Sequence, residues 1–393
     1  MKILWVKSDF LHPTTRGGQI RTLETLKRLH QRHEIHYVAF DLMDQPEGPA
    51  YASEYCTRAY PVLHRVPKKT SLAFVGQLAA GVFQSLPVAV SRYRSKAMKR
   101  QIQQILRVQK FDAIVCDFLF PAPNMPDLAQ CVLFQHNVES TIWKRHVEHA
   151  AGFARRTYFQ LQARRMLAYE SQVCRAAKSV IAVSDADAEI MRAQYGVKRV
   201  SAVPTGVDLE FFARPENPPR VADLVFLGSM DWMPNIDGMR WFVSEVLPLI
   251  RKRRPDCSLA IAGRKPAAEI LALAERDPGI QVTGTVPDVR PYLWGSAVSI
   301  VPLRIGGGTR LKIYEAMAAG IPVVSTTVGA EGLDIREGET IRIGDDPRTF
   351  ADACVELLDD PDQRARMAGS ALYMIEERYS WEVAARRFEE LLA

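Results

Sequence analysis

The residues with the clearest chemical potential lie between positions 306 and 315, where three glycines precede a charged helical segment. Gly306, Gly307 and Gly308 come directly before a predicted helix that runs from about Thr309 to Ala319. Glycines let the backbone approach a ligand closely, and the first N–H groups of a helix lack internal partners at the positive end of its dipole. The stretch is therefore typical of an anion-binding loop.

The charges that follow these glycines favour a nucleotide ligand. Arg310 and Lys312 place positive charge in the first helical turn, where the dipole disfavours it unless an anion is bound. Glu315 lies near the same end, and its carboxylate can accept hydrogen bonds from two ribose hydroxyls. The pattern predicts a nucleotide-diphosphate site. The alternative is a plain crossover with solvated basic residues, because glycine loops are common.

The elements around this loop predict a parallel α/β sheet. An apolar run ends in Pro302, Gly320 and Pro322 stop the helix, and a β-rich run follows at once. Near the start, residues 2–6 form a predicted strand, and a helix carrying Ile20, Leu23, Leu26 and Leu29 on one face follows. Gly17 and Gly18 are predicted to form a cleft loop that approaches a ligand, or else an ordinary tight turn.

One histidine lies where parallel sheets bind ligands. His136 directly follows the predicted strand CVLFQ (131–135), at its carboxyl end. A catalytic role and a structural role are both open from the residues alone. Asp185 and Asp187 match an Asp-x-Asp metal motif, but a helix capped by Ser184 with both aspartates in its first turn explains them better. We therefore predict no metal site and no cofactor.

Composition and charge narrow the class of protein. The 393 residues suggest two domains, and 47% hydrophobic with 24% charged residues is ordinary for a soluble globular chain. Six scattered cysteines favour neither zinc nor a disulfide framework. No signal peptide or membrane span is predicted, so we expect a cytoplasmic protein. A net charge of +6 suits anionic small molecules or an anionic lipid surface better than nucleic acid.

A basic stretch offers a second partner. Residues 92–110 carry seven lysines or arginines and no acidic residue. A solvated helix face is the simpler explanation. The alternative is peripheral docking to anionic lipid at the inner face of the plasma membrane, with the apolar segment 72–90 as an insertable face.

Several motifs taken together resemble glycosyltransferase family 4, whose members have the GT-B fold. They are PTTRGGQ, QHN after a strand, VPTGVD before a proline-rich linker, FLGSMDWMPN, and GGGTRLKIYEAMAAGIPVV. The finer likeness is to sugar transferases of bacterial exopolysaccharide clusters. The resemblance implies two Rossmann-like domains facing a cleft, with an acceptor-side domain at 1–205, a nucleotide-sugar domain at 206–375, and a C-terminal interface helix at 376–393.

The resemblance also implies roles for individual residues. Glu315 matches the second glutamate of the family's Glu-x7-Glu motif and would bind the ribose, while His136 would lie near the transferred sugar. Arg310 and Lys312 would act on the diphosphate in catalysis. The remaining donor-binding residues would be Gly263, Arg264, Gly306, Gly307, Gly308 and Thr309.

Two departures affect this assignment. Gly307 stands where the first motif glutamate is expected, so the carboxylate that orients the donor sugar is absent. FLGS lacks the basic residues that often neutralise the diphosphate, and Arg264, Arg310 and Lys312 must supply that charge.

The expected activity is retaining transfer from a UDP- or GDP-sugar to a glycan or lipid-linked acceptor, without a metal. The alternatives are a GT-B sugar-nucleotide epimerase and a non-catalytic sugar-nucleotide-binding subunit.

Overall fold

The structure is a computed structural model that describes residues 1–14, 17–42, 47–65, 84–148, 150, 152–305 and 311–393. The chain divides into two compact units, one formed by Met1–Thr205 with Ala384–Ala393 and the other by Gly206–Val383. Each unit contains one parallel sheet covered by helices, which confirms the predicted α/β class.

The first unit is built on a seven-stranded sheet with the order β3-β2-β1-β4-β5-β6-β7. Its strands are β1 (Lys2–Val6), β2 (Glu34–Leu42), β3 (Arg58–His64), β4 (Ala113–Asp117), β5 (Cys131–Phe134), β6 (Ser179–Ala182) and β7 (Val200–Ala202). Every residue of β4 and β5 is buried, as expected for central parallel strands with both faces covered.

The helices of this unit lie between the strands. Those within the described residues are α1 (Gly17–His30), α2 (Glu47–Ala50), α3 (Val88–Ser91), α4 (Lys96–Val108), α5 (Glu139–Glu148), α6 (Phe153–Ala176) and α7 (Asp185–Tyr195), with short 3-10 turns at Ala52–Glu54, Ala122–Asn124 and Leu128–Gln130. The sequence left one or two helices open between 141 and 178. The structure has two, and Gly152 at φ +81° lies just before the second.

The second unit is built on a six-stranded sheet with the order β10-β9-β8-β11-β12-β13. Its strands are β8 (Ala222–Leu227), β9 (Leu259–Ala262), β10 (Ile280–Val282), β11 (Ser296–Val301), β12 (Val323–Ser325) and β13 (Arg342–Ile343). Its helices within the described residues are α8 (Leu209–Phe212), α9 (Met233–Trp241), α10 (Leu247–Arg253) after a π-helical turn at Phe242–Val246, α11 (Ala268–Arg276), α12 (Arg290–Trp294), α13 (Leu311–Ala318), α14 (Pro347–Asp359) and α15 (Pro361–Arg378). The last helix, α16 (Trp381–Leu392), begins in the second unit, and its residues from Ala384 onward belong to the first.

One predicted helix face is partly wrong. Leu23, Leu26 and Leu29 of α1 are buried, but Ile20 is 39% exposed. Residues three apart advance by about 300°, so a row with this spacing turns by about 60° at each step. Over three steps the first member leaves the core-facing side.

The last ten residues belong to the first unit. Phe388 on α16 is fully buried and stacks on Trp5 with ring centroids 5.4 Å apart, and it meets Phe134 edge-on at 4.8 Å. Glu389 adds an ion pair to Arg32 and a hydrogen bond to His33. The end of the chain therefore completes the core beside β1 and β5.

Most of the basic stretch lies in α4, which runs from Lys96 to Val108. Met98, Ile102 and Ile105 face the core, so the basic residues of this helix lie on its solvent side. Most of the apolar segment 72–90 lies outside the described residues. Among the helices that the structure describes, none is both long and apolar enough to span a membrane.

We expect Phe388→Ala to lower the free energy of unfolding by about 3–5 kcal/mol, because truncating a buried phenylalanine loses burial and leaves a cavity. Urea unfolding measures the change. Arg387→Ala, at an exposed neighbour on α16, is the matched control and should have little effect. Equal stability of Phe388→Ala and the control would contradict the packing of the terminal helix.

Candidate active site

A cavity of about 680 Å³ lies at the carboxyl ends of β8 and β9 in the second unit. Four residues predicted from the sequence line it together: Gly263, Arg264, Lys312 and Glu315. Ligands of open α/β sheets bind at this end of the strands. The cavity is within the size range of small-molecule sites, which run from about 300 to 1,000 Å³.

Two glycines bring the strand ends close together. A Cβ at Gly263 would lie 1.7 Å from the carbonyl oxygen of Gly228, so no larger residue fits there. A Cβ at Gly228 would meet Asn235 and Lys312 at 2.6 and 2.8 Å. Gly263 was predicted to bind the donor, and the structure gives it a packing reason besides: it allows β8 and β9 to present their ends side by side.

Lys312 has a fixed place at the start of α13. Its Nζ donates to Asn235 Oδ1 at 3.1 Å and lies 4.2 Å above the ring of Phe226. These contacts hold a cation in the first helical turn against the dipole. The ammonium therefore lies on the cavity wall in a defined position.

Arg264 supplies a second cation at the cavity. Its Nε donates to Ser229 Oγ at 2.8 Å, and the Ser229 hydroxyl donates to Asp231 at 2.6 Å. Ser229, which replaces a basic residue of the family pattern, thus orients the arginine. Arg264 is exposed to solvent at the cavity.

Glu315 lies three residues after Lys312 on α13, so both face the same side of the helix. Its side chain is half-buried on the cavity wall. Burial raises the pKa of Glu315, and the charge of Lys312 opposes that rise. The pair therefore places a carboxyl group beside a cation on the cavity wall. The predicted residues Gly306, Gly307, Gly308, Thr309 and Arg310 lie outside the described residues.

The first unit gathers polar side chains at the ends of three neighbouring strands. Lys7 follows β1, Asp117 ends β4, and His136 comes two residues after the end of β5. Because β1, β4 and β5 are adjacent and parallel, their carboxyl ends meet at one edge of the sheet. Arg21 approaches from α1.

Asp117 is the centre of this cluster. Its side chain is fully buried and accepts from Lys7 Nζ at 2.7 Å, His136 Nε2 at 2.6 Å, Trp5 Nε1 at 2.8 Å and Thr22 Oγ1 at 2.7 Å. Burial raises the pKa of Asp117, but Lys7 and His136 outweigh it, and the net pKa lies below the usual range. Asp117 is therefore a carboxylate.

These contacts determine the protonation of His136. Nε2 carries the proton, because it donates to the Asp117 carboxylate, and Nδ1 accepts from Arg21 at 3.1 Å. Burial lowers the pKa of His136 to about 4; Asp117 opposes the shift, while Lys7 and Arg21 add to it. The ring is thus neutral at pH 7 and held at both nitrogens.

Arg21 is the cation beside that ring. Its residue is 8% exposed, and its Nε donates to Thr205 Oγ1 at 2.7 Å. Burial lowers the pKa of Arg21 to about 10, although Asp187 and Asp117 oppose the shift. The guanidinium remains charged at pH 7 and hydrogen-bonds directly to neutral partners.

Gly17 and Gly18 form the first turn of α1, so the prediction of a loop at these two positions is wrong. A Cβ at Gly18 would lie 3.7 Å from the His136 ring, whereas one at Gly17 would have open space. The close approach therefore involves Gly18 and the histidine. Thr15 and Arg16 lie outside the described residues.

Lys7, Asp117 and Arg21 were missed by sequence reasoning. Lys7 and Asp117 carry the signal that identified His136, since each charge stands at the end of a buried strand. The sequence analysis used this position at a strand end only for His136, and so did not select Lys7 or Asp117. Arg21 offers no such signal.

The Asp-x-Asp segment is a helix start. Ser184 caps α7 by accepting from Asp187 N–H, and both aspartates lie in the first turn, as predicted. Over the described ranges no group of three or more histidine, cysteine, aspartate or glutamate residues is placed to hold a metal ion.

Two family models for glycosyltransferases match different parts of this chain. Residues 15–211 match the family model described as Glycosyltransferase Family 4, and residues 222–360 match the model described as Glycosyl transferases group 1. A Klebsiella pneumoniae protein described as an uncharacterized 44.6 kDa protein in the cps region is 22% identical over 404 residues, covering 99% of both chains.

Two further proteins are similar to this chain, one over about half of its length and the other over all of it. A D-inositol 3-phosphate glycosyltransferase of Paenarthrobacter aurescens is 29% identical over 242 residues, which span 55% of this chain and 57% of that one. The crystal structure of Anabaena Alr3699/HepE in complex with UDP and glucose superimposes with a TM-score of 0.66 at 14% identity, covering 100% of this chain and 99% of that one. This superposition shows that the two chains share a fold.

The buried neutral state of His136 predicts a pH dependence of stability. An unfolded histidine titrates near pH 6.5 and the folded one near 4, so His136 contributes stability above about pH 6.5 that is lost as the pH falls toward 4. Relative to His136→Gln, the wild-type protein should lose on the order of 2 kcal/mol between pH 6.5 and 5. Urea unfolding at both pH values measures it. Parallel losses in both proteins would refute the assignment.

Proposed function

The chain belongs to glycosyltransferase family 4, and we propose that it is a retaining transferase that moves a sugar from a nucleotide-diphosphate sugar to a glycan or lipid-linked acceptor. The observation that carries this proposal is the cavity where Lys312, Arg264 and Glu315 meet. Two cations and a carboxylate around one cavity match the diphosphate and ribose of such a donor.

Binding of the donor follows from those three side chains. Lys312 and Arg264 would meet the diphosphate, and Glu315 would accept hydrogen bonds from the ribose hydroxyls. The complex of Anabaena Alr3699/HepE with UDP and glucose supports a uridine nucleotide, with a guanosine nucleotide as the alternative.

The chemistry requires positive charge at the leaving group. As the glycosidic bond breaks, negative charge grows on the leaving diphosphate, and preorganised donors lower the barrier. Asn235 and Phe226 hold Lys312 in place, so little reorganisation would be needed. Because Lys312 and Arg264 supply this charge, we propose a reaction without a metal or other cofactor.

The first unit would act on the reacting groups. His136 is neutral and oriented by Asp117 and Arg21, so it would offer a fixed polar ring and not a strong base. In retaining transfer of this kind, the leaving phosphate would take the proton of the acceptor hydroxyl. That route fits the neutral histidine.

The proposed setting is exopolysaccharide or cell-surface polysaccharide synthesis at the cytoplasmic face of the membrane. The full-length likeness to a protein of the Klebsiella cps region supports the pathway class, and the exposed basic side of α4 supports contact with anionic lipid. Sedimentation with phosphatidylglycerol vesicles, and none with phosphatidylcholine vesicles, is the expected result. Equal sedimentation with both would exclude electrostatic docking.

A transfer assay separates this function from its alternatives. The purified chain is incubated with a panel of UDP- and GDP-sugars, with and without lipid-extracted acceptors, in the presence of a chelator. Labelled product that needs the acceptor and forms despite the chelator supports the proposal. An epimer formed without acceptor identifies an epimerase, and nucleotide binding without turnover identifies a binding subunit.

The carboxylate at the cavity gives a separate prediction. Glu315→Gln should weaken binding of the cognate nucleoside diphosphate, because a hydrogen bond to a charged acceptor is worth about 1.5–3 kcal/mol. Calorimetry measures the affinity. Glu275→Gln, an exposed glutamate on α11, is the matched control and should bind normally. Unchanged affinity of Glu315→Gln would remove this residue from the donor site.

A further inference from the structure

A second cavity of about 550 Å³ lies in the second unit, at the opposite end of its sheet. Ala222 and Ser296, the first residues of β8 and β11, line it, as does Pro322 just before β12. Leu227 and Gly228, at the other end of β8, line the first cavity. A strand of six residues spans about 20 Å, so the two cavities are separate sites.

Four arginines line this second cavity, and two of them have a carboxylate partner. Arg220 pairs with Asp223 at 3.0 Å, and Arg254 pairs with Asp359 at 2.5 Å. Their charges are balanced within the protein.

The other two arginines, Arg214 and Arg364, are not balanced. Each donates to a backbone carbonyl at 2.9 Å, Arg214 to Trp294 and Arg364 to Leu357. Within the described part of the chain, neither has a carboxylate within ion-pair distance. Burial lowers the pKa of Arg214, and the nearby charge of Arg364 lowers it further. The two guanidinium groups therefore repel each other across the cavity.

We propose that this cavity is a second anion site, in which Arg214 and Arg364 bind the phosphate group of a small phosphorylated molecule. A phosphate monoester carries about two negative charges at pH 7, which would balance the two arginines. Guanidinium groups bind phosphate oxygens through paired N–H donors. Arg214 is exposed and Arg364 half-buried, so a ligand can reach both from solvent.

The rest of the cavity indicates more than a bare phosphate. Its volume is that of a small-molecule pocket, and Pro218, Pro322 and the half-buried Trp294 provide an apolar wall. A phosphorylated sugar or nucleoside has both the anionic group and the ring that these residues can hold. The site stands independently of the donor cavity and of the transfer activity.

Calorimetry of the full chain with inorganic pyrophosphate tests this proposal. The Lys312→Gln/Arg264→Gln/Arg310→Gln variant serves as background, because it removes the three cations expected at the donor site, which would also attract pyrophosphate. In that background, Arg214→Gln/Arg364→Gln should weaken binding more than tenfold. Arg348→Gln, an arginine whose side chain is 89% exposed, is the control and should leave affinity unchanged.

Two results would overturn the second site. Pyrophosphate affinity that survives Arg214→Gln/Arg364→Gln would place the anion elsewhere, and an equal loss in Arg348→Gln would show general charge attraction only. Thermal melting of each ligand-free variant checks that it folds. If the double variant unfolds at a lower temperature than the wild-type protein, Arg214→Lys is used instead. Lysine keeps the positive charge but lacks the paired N–H donors of the guanidinium group. This variant should bind several-fold more weakly, and unchanged binding would contradict the proposal.

Discussion

The buried Asp117 carboxylate is the interaction on which the first unit's candidate site depends. An isolated charge inside a protein costs several kcal/mol, and removing one partner of a buried pair costs about 3–5 kcal/mol. Four donors satisfy Asp117, and two of them are the Lys7 ammonium and the His136 ring. The sheet order makes this possible, because β4 lies between β1 and β5. The tautomer of His136 and the place of Arg21 follow from it.

The second unit holds two positively charged side chains in fixed positions beside its cavity. Asn235 and the ring of Phe226 stabilise Lys312, while Ser229 orients Arg264. Gly228 and Gly263 allow the ends of β8 and β9 to come close enough for these side chains to share one cavity. Each unit thus has its own polar arrangement: two cations beside one cavity in the second, and a neutral ring beside a buried guanidinium in the first.

Much of the fold and of the candidate site could be predicted from local sequence patterns. The remaining contacts depend on the order of the strands in the sheet. The family resemblance is confirmed, and apolar runs gave the strands because buried parallel strands are continuously hydrophobic. Lys312 and Glu315 share one helix, so their proximity was predictable. Lys7 and Asp117 are 110 residues apart, and only the adjacency of β1 and β4 brings them together. Gly17 and Gly18 lie in helix α1, although the low helix propensity of glycine suggested a loop at these positions.

The central proposal is that the second unit would bind the nucleotide, whereas His136 of the first would act in the transfer step. The most direct measurement compares diphosphate affinity by calorimetry with the initial transfer rate for His136→Ala and Lys312→Ala. His136→Ala should keep nearly full affinity while transfer falls by about 10²–10⁴, the range for positioned polar groups. Lys312→Ala should lower both. Wild-type transfer by His136→Ala, or normal diphosphate binding by Lys312→Ala, would contradict the account.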